Sequence, residues 1–76
     1  MSARLPQLKA QELIRVLERL EFVVRRQSGS HIILKHPTSK RIISIPIHAG
    51  DIKRGLLFGI LKQAGISEEK FREMLH

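Results

Sequence analysis

Apolar residues recur at helical spacing between residues 9 and 20. Leu13, Val16, Leu17 and Leu20 fall on one side, while Gln11, Glu12, Arg15, Glu18 and Arg19 face away, the stripe of an amphipathic helix. Pro6 stands outside this segment or at its start. The pattern then changes. Phe22-Val23-Val24 is aromatic and β-branched and leads through Arg25-Arg26 to a turn-like Ser28-Gly29, predicting a first strand. Residues 30 to 36 predict a second strand, Pro37-Thr38-Ser39-Lys40 a turn, and residues 41 to 47 a third strand containing Pro46, which has no N–H to give to a ladder. Short strands with tight connections predict an antiparallel meander.

The turn between the second and third strands sets their register. With Thr38-Ser39 at the turn, Pro37 opposes Lys40, Ile33 opposes Ser44, and His31 opposes Pro46. Alternation then sends Ile32, Leu34, Ile43, Ile45 and Ile47 to a core side. His31, Ile33, Lys35, Ile42, Ser44, Pro46 and His48 go to the other, with two histidines and a lysine expected near one end of the hairpin. The first strand does not alternate, so its register stays open. A second helix follows, capped by Asp51, with Ile52, Leu56, Leu57, Ile60 and Leu61 as its apolar face. Gly65 is placed to end it in a left-handed conformation. Ser67 opens a short third helix with Glu68 and Glu69 in its first turn and Phe71, Met74 and Leu75 on its buried side. The expected class is α+β: a three-stranded antiparallel sheet with helices on one face and the other face free.

Composition adds limits. Seventy-six residues leave room for one domain, expected to cover residues 1–76. A hydrophobic share of 42% argues against disorder. With no cysteine, a disulfide framework and a thiolate metal site are both excluded, and a reducing cytoplasm is the expected location. The longest nearly apolar run, residues 55 to 61, is too short to span a bilayer, so no membrane is expected as a partner. Charge is more informative. Fourteen Lys and Arg against seven Asp and Glu leave a net charge of +7, which favours a polyanion and above all nucleic acid. Basic pairs stand at Arg25-Arg26, Lys40-Arg41 and Lys53-Arg54, at or near the expected turns and element ends. All three phenylalanines sit at core-like positions and there is no Tyr or Trp. Phosphate and shape recognition is therefore expected over base stacking.

Gly29-Ser30-His31 carries the candidate chemistry. Glycine allows a sharp turn just before a histidine on the polar side of a strand, and imidazole exchanges protons near neutral pH. RNA brings its own nucleophile, the 2′-hydroxyl, so cleavage asks for a base, an acid and cations around the phosphate, with neither metal nor cofactor expected. Such a histidine is structural more often than catalytic. His36, followed by proline, reads as a turn residue, and His76 as inert. His48 ends the third strand near His31; His48 and Lys35 are the candidates for an accessory role. His31 and His36 point to opposite faces of one strand, which no single ion would accept.

These residues resemble a known family. Phe22, Arg26, Gly29-Ser30-His31, His36-Pro37, Ile45-Pro46-Ile47-His48, Lys53-Arg54-Gly55 and the run from Ile60 to Ser67 are similar, as an ordered set, to the HicA family of mRNA interferase toxins. The similarity runs from about Leu8 to Ser67. It implies an α-β-β-β-α fold like the double-stranded RNA-binding domain. It also implies endonucleolytic cleavage of messenger RNA within a stress-responsive toxin–antitoxin system, and a cognate HicB-type antitoxin covering the active site. The histidine of the Gly-Ser-His motif, here His31, is implied as catalytic; no catalytic role passes to His48 on that basis. Arg25, Arg26, Ser30, Lys35, Lys53 and Arg54 are the expected RNA contacts. Two departures stand out. Glu21 occupies a position where the family usually has glycine, so the first helix is expected to end without that residue's easy left-handed turn. Gly59 interrupts the second helix, as though for close packing on the sheet or a partner. Two other classes stay open: a non-catalytic RNA-binding module, and an interaction protein whose basic face docks an acidic partner.

Overall fold

The computed structural model describes residues 7–47 and 51–75. Its elements run β1 (Leu8–Lys9), α1 (Ala10–Arg19), β2 (Val23–Ser28), β3 (His31–Lys35), β4 (Ile42–Pro46), β5 (Asp51–Ile52), α2 (Arg54–Ala64) and α3 (Glu68–Met74). The fold is α+β. β2, β3 and β4 form an antiparallel sheet in that order, and β1 and β5 make a separate two-residue ladder. Leu34, Ile43 and Ile45 from one side of the sheet share a buried cluster with Leu13, Leu17, Leu57, Ile60, Leu61 and Phe71 from the three helices.

Register of the central hairpin is as the alternation predicts, with His31 opposite Pro46, Ile33 opposite Ser44 and Lys35 opposite Ile42. Leu34, Ile43 and Ile45 are fully buried, while His31, Ile42 and Ser44 are exposed. Pro46 is the exception on its side, being buried. It lies on an edge strand, where a missing donor leaves no gap in the ladder.

Differences from expectation lie where pairing is short or irregular. The first strand is longer than Phe22–Val24: it runs to Ser28, and the register slips between Val24 and Arg26, a β-bulge that explains the failure to alternate. Phe22 is buried just before it. Lys9 is not helical but extended, and its N–H donates to the Glu12 carboxylate at 2.9 Å. Asp51 does not cap α2; Lys53 holds that position without a side-chain bond. Instead Asp51 pairs with Lys9 and Ile52 with Leu8, because burying Ile52 against Leu8 takes Asp51 into the ladder, where it meets the Lys9 ammonium at 3.6 Å. On α2 the buried stripe is Leu57, Ile60, Leu61 and Ala64. Leu56 and Phe58 lie about 100° to either side of Leu57 on the helix and are 42% and 36% exposed, so neither is core. Gly59 faces open space, so packing on the sheet does not require it.

α1 and α2 both end in a residue with left-handed backbone. Gly65 ends α2 at φ 73°, with its N–H on the Lys62 carbonyl and the Ile66 N–H on that of Leu61, a Schellman pattern. α1 closes in the same way. The Phe22 N–H reaches the Leu17 carbonyl, that of Glu21 reaches Glu18, and Glu21 adopts φ 77° despite its Cβ. The turn expected to be lost with glycine is therefore kept at a conformational cost of about 1–2 kcal/mol. α3 is capped as expected, the Ser67 hydroxyl accepting the Lys70 N–H at 3.1 Å.

Arg41, a residue the sequence offers only as half of a basic pair, bridges the sheet to α2. Its guanidinium donates to the Gln63 carbonyl at 3.0 Å and lies 2.9 Å from where a Cβ on Gly65 would stand. Two outcomes follow for equilibrium unfolding. Glu21→Gly should raise stability by about 0.5–1 kcal/mol, the left-handed relief exceeding the extra chain entropy of glycine. Gly65→Ala should lower it by about 1–3 kcal/mol, since it both strains φ and displaces Arg41. Chemical denaturation of the three proteins checks both.

Candidate functional site

Two turns aim the polar side of the sheet. Gly29 and Ser30 form a two-residue loop between the paired Ser28 and His31, with φ 59° at Gly29 and no positive φ at Ser30. That is the pattern of a II′ hairpin, which only glycine fills easily at the first position. Ser30 thus belongs to the turn rather than to the strand, and its carbonyl accepts the Ile47 N–H. His31 is placed as the first residue of β3, exposed, beside Ser28 on one neighbour and Pro46 on the other. Since residues 30 and 47 share a ladder hydrogen bond, His31 and Pro46 form a non-hydrogen-bonded pair with Cα atoms about 4.5 Å apart.

Two rows separate His31 from the other end of the strand. Arg26, Ile33 and Ser44 make the next row, and Val23, Lys35 and Ile42 the one after. At about 3.3 Å per residue, Arg26 lies roughly 7 Å along the sheet from His31, and Lys35 roughly 13 Å. His31 and Lys35 therefore occupy opposite ends of β3 and not one end of the hairpin. The bulge adds a further cation. Arg25 is the unpaired residue between Val24 and Arg26, and it lines the same cleft as Val23 and Lys35, so two consecutive arginines face the same side. Strict alternation would have hidden one of them.

The second turn is built by His36. Its Nδ1 accepts the N–H groups of both Thr38 and Ser39 at 3.1 Å, its carbonyl accepts from Lys40, and its own N–H donates to Arg41. Its ring meets Phe22 edge-on at 5.1 Å. His36 is thus a turn residue, as its Pro37 neighbour suggests. Lys40 emerges from that turn at φ 66° and joins Val23, Arg25, Lys35 and Pro37 around a cleft of about 310 Å³. Lys40 as a wall of this cleft is a feature of the polar face that sequence reasoning missed. The signal was present in the Lys40-Arg41 pair, which the turn splits, sending Arg41 to the helices and Lys40 to the free side.

The remaining candidates lie elsewhere. Lys53 and Arg54 are exposed at the start of α2, on a different element from His31 at the head of β3. His48 lies outside the described residues. A second cleft of about 440 Å³ runs between the sheet and the α2–α3 connection, lined among others by Phe22, His36, Arg41, Gly65 and Lys70; its arginine is already bonded to α2. No helix among the described residues is long and apolar enough to cross a membrane.

The site thus joins an exposed imidazole to a line of cations on a sheet face that no helix among the described residues covers, in a chain of net charge +7. No curated protein matches the chain. The family model of the HicA toxin of bacterial toxin–antitoxin systems matches residues 10–66, a span from the first residue of α1 through the Schellman turn after α2 that takes in both turns and every strand of the polar face. The chain belongs to the HicA toxin family.

Proposed function

We propose that this chain is an mRNA interferase, an endoribonuclease that cuts messenger RNA without a metal ion and is neutralised by a HicB-type antitoxin. Membership in a toxin family of toxin–antitoxin systems supports the toxin role and the existence of a cognate antitoxin. The observation that carries the chemistry is the placement of His31, exposed at the head of β3 with Arg26 one row away.

In this reading His31 removes the proton from a ribose 2′-hydroxyl. The 2′-oxygen then attacks the adjacent phosphorus, the bond to the 5′-oxygen breaks, and that oxygen takes up a proton. His48 is the candidate donor in the sequence. The products are a 2′,3′-cyclic phosphate and a 5′-hydroxyl. Arg26 stands nearest to stabilise charge on the phosphorane, while Arg25, displayed by the bulge toward the far cleft, is an RNA contact away from it. Lys35, roughly 13 Å along the strand, suits phosphate binding rather than the reacting centre. Ser30, Lys53 and Arg54 complete the proposed RNA contacts.

Purified wild type should cleave RNA in the presence of EDTA, leaving those termini, and His31→Ala should lose about 10²–10⁴-fold in rate while still binding RNA. Cleavage abolished by EDTA would remove the metal-free mechanism. If neither protein cuts and both bind RNA, the chain is a non-catalytic RNA-binding module.

The antitoxin is proposed to cover the polar sheet face around His31. Binding only the folded toxin, it should also raise apparent stability, by about 2.7 kcal/mol at a hundredfold excess over Kd. Hydrogen exchange on the complex should show protection at His31 and β2; a complex that leaves these residues as exposed as in the free chain would contradict occlusion.

A further inference from the structure

One imidazole cannot hold a polynucleotide in place, and the cations best positioned to do so sit at the far end of the same sheet face. Arg25, Lys35 and Lys40 converge with Val23 and Pro37 on the cleft of about 310 Å³. Each cation is delivered by a different local device. Lys35 ends β3 opposite Val23 and Ile42. Arg25 is displayed by the bulge. Lys40 is held in a left-handed conformation at φ 66° by a turn that His36 ties with its carbonyl and its Nδ1. The ion pairs among the described residues are Lys9–Asp51 and Arg72–Glu68, so none of the three cations has a carboxylate partner there. Three like charges around one cleft repel one another, and an entering anion relieves that repulsion.

Spacing identifies the anion. Lys35 stands roughly 13 Å from His31 along one strand, and stacked nucleotides advance about 3.4 Å each. A strand lying along β3 with one phosphate at His31 therefore brings another into the cleft at most about four nucleotides away. The geometry points to a phosphate subsite for an RNA strand, formed by Arg25, Lys35 and Lys40 and separate from the bond-breaking centre. The identity of the strand rests on the proposed nuclease activity. Because the contacts go to phosphate, the subsite selects for length and not for base sequence. The exposed Val23 and Pro37 give the sugar an apolar surface between the charges.

The test uses His31→Ala as a background, so that RNA stays intact, with a labelled single-stranded RNA long enough to reach both ends of β3 and a dinucleotide for comparison. Lys40→Gly removes the charge and at the same time relieves the left-handed backbone, so lost binding is not lost fold; Lys35→Gln is the second variant. Each should weaken long-RNA binding several-fold and narrow the advantage of long RNA over the dinucleotide. Each should also lower the magnitude of the salt slope by about 0.7 for every phosphate no longer neutralised. Unchanged affinity and salt slope in both variants, with native circular dichroism, would overturn the subsite. So would unchanged RNA binding with weakened antitoxin binding, which makes the cleft a protein-docking surface. Cleavage by the wild type is scored separately: a chain that does not cut RNA but shows the predicted salt slopes defeats the nuclease reading and keeps the subsite.

Discussion

Burial of Leu34, Ile43 and Ile45 against the helices commits every residue of β3 and β4 to a face, because side chains alternate with a period of two. A one-residue slip would put these three in water, at about 1.5–3 kcal/mol each. The sum, about 5–9 kcal/mol, rivals the whole stability expected of a small domain. The same slip would turn His31 toward the core. The position of the exposed imidazole is thus not a local choice. It is enforced by apolar packing on the opposite side of the sheet, and the Gly29-Ser30 loop then decides that His31, and not a neighbour, begins the strand.

Backbone strain is confined to few places, and Glu21 shows why they matter. A left-handed residue after α1 lets the chain reverse so that Phe22 enters the core and Val23 starts the edge strand. The turn persists with glutamate in place of the easier glycine, so the requirement comes from the packing of Leu17 and Phe22 and not from local preference. Lys40 carries the same conformation for a different reason. It closes the hairpin that keeps Ile42 opposite Lys35, and the turn is held by the His36 ring, which is why the second histidine of the chain is structural while the first stays free.

What could be read from the sequence followed from how local each signal is. The β3–β4 register, the Ser67 cap and the left-handed Gly65 each depend on residues within a few positions, where alternation and capping rules act directly. The β1–β5 ladder joins residues more than forty positions apart through two pairs, too short to leave a periodic trace, and so Asp51 looked like a cap. The bulge hid the reach of β2 and the common side shared by Arg25 and Arg26, since an extra residue breaks the very alternation used to assign faces. Phe58 and Leu56 misled because composition marks them as apolar while angle on the helix decides burial. For the site, His31 was legible as an exposed strand head. The distance separating it from Lys35, and the turn that brings Lys40 to the same cleft, required the fold.

A small core has a consequence for how such a molecule can be controlled. With the three described helices packed on one side of a three-stranded sheet, no helix among the described residues covers the other side, and it carries cations that repel one another. In the proposed reading, substrate and antitoxin therefore compete for one surface whose own free energy favours being covered by something anionic. Inhibition then needs no change of shape in the toxin: occupation of the His31 row excludes the scissile phosphate directly. Control by occlusion is the simplest arrangement for this chain, because any internal switch would have to move residues that the core has already assigned to a face.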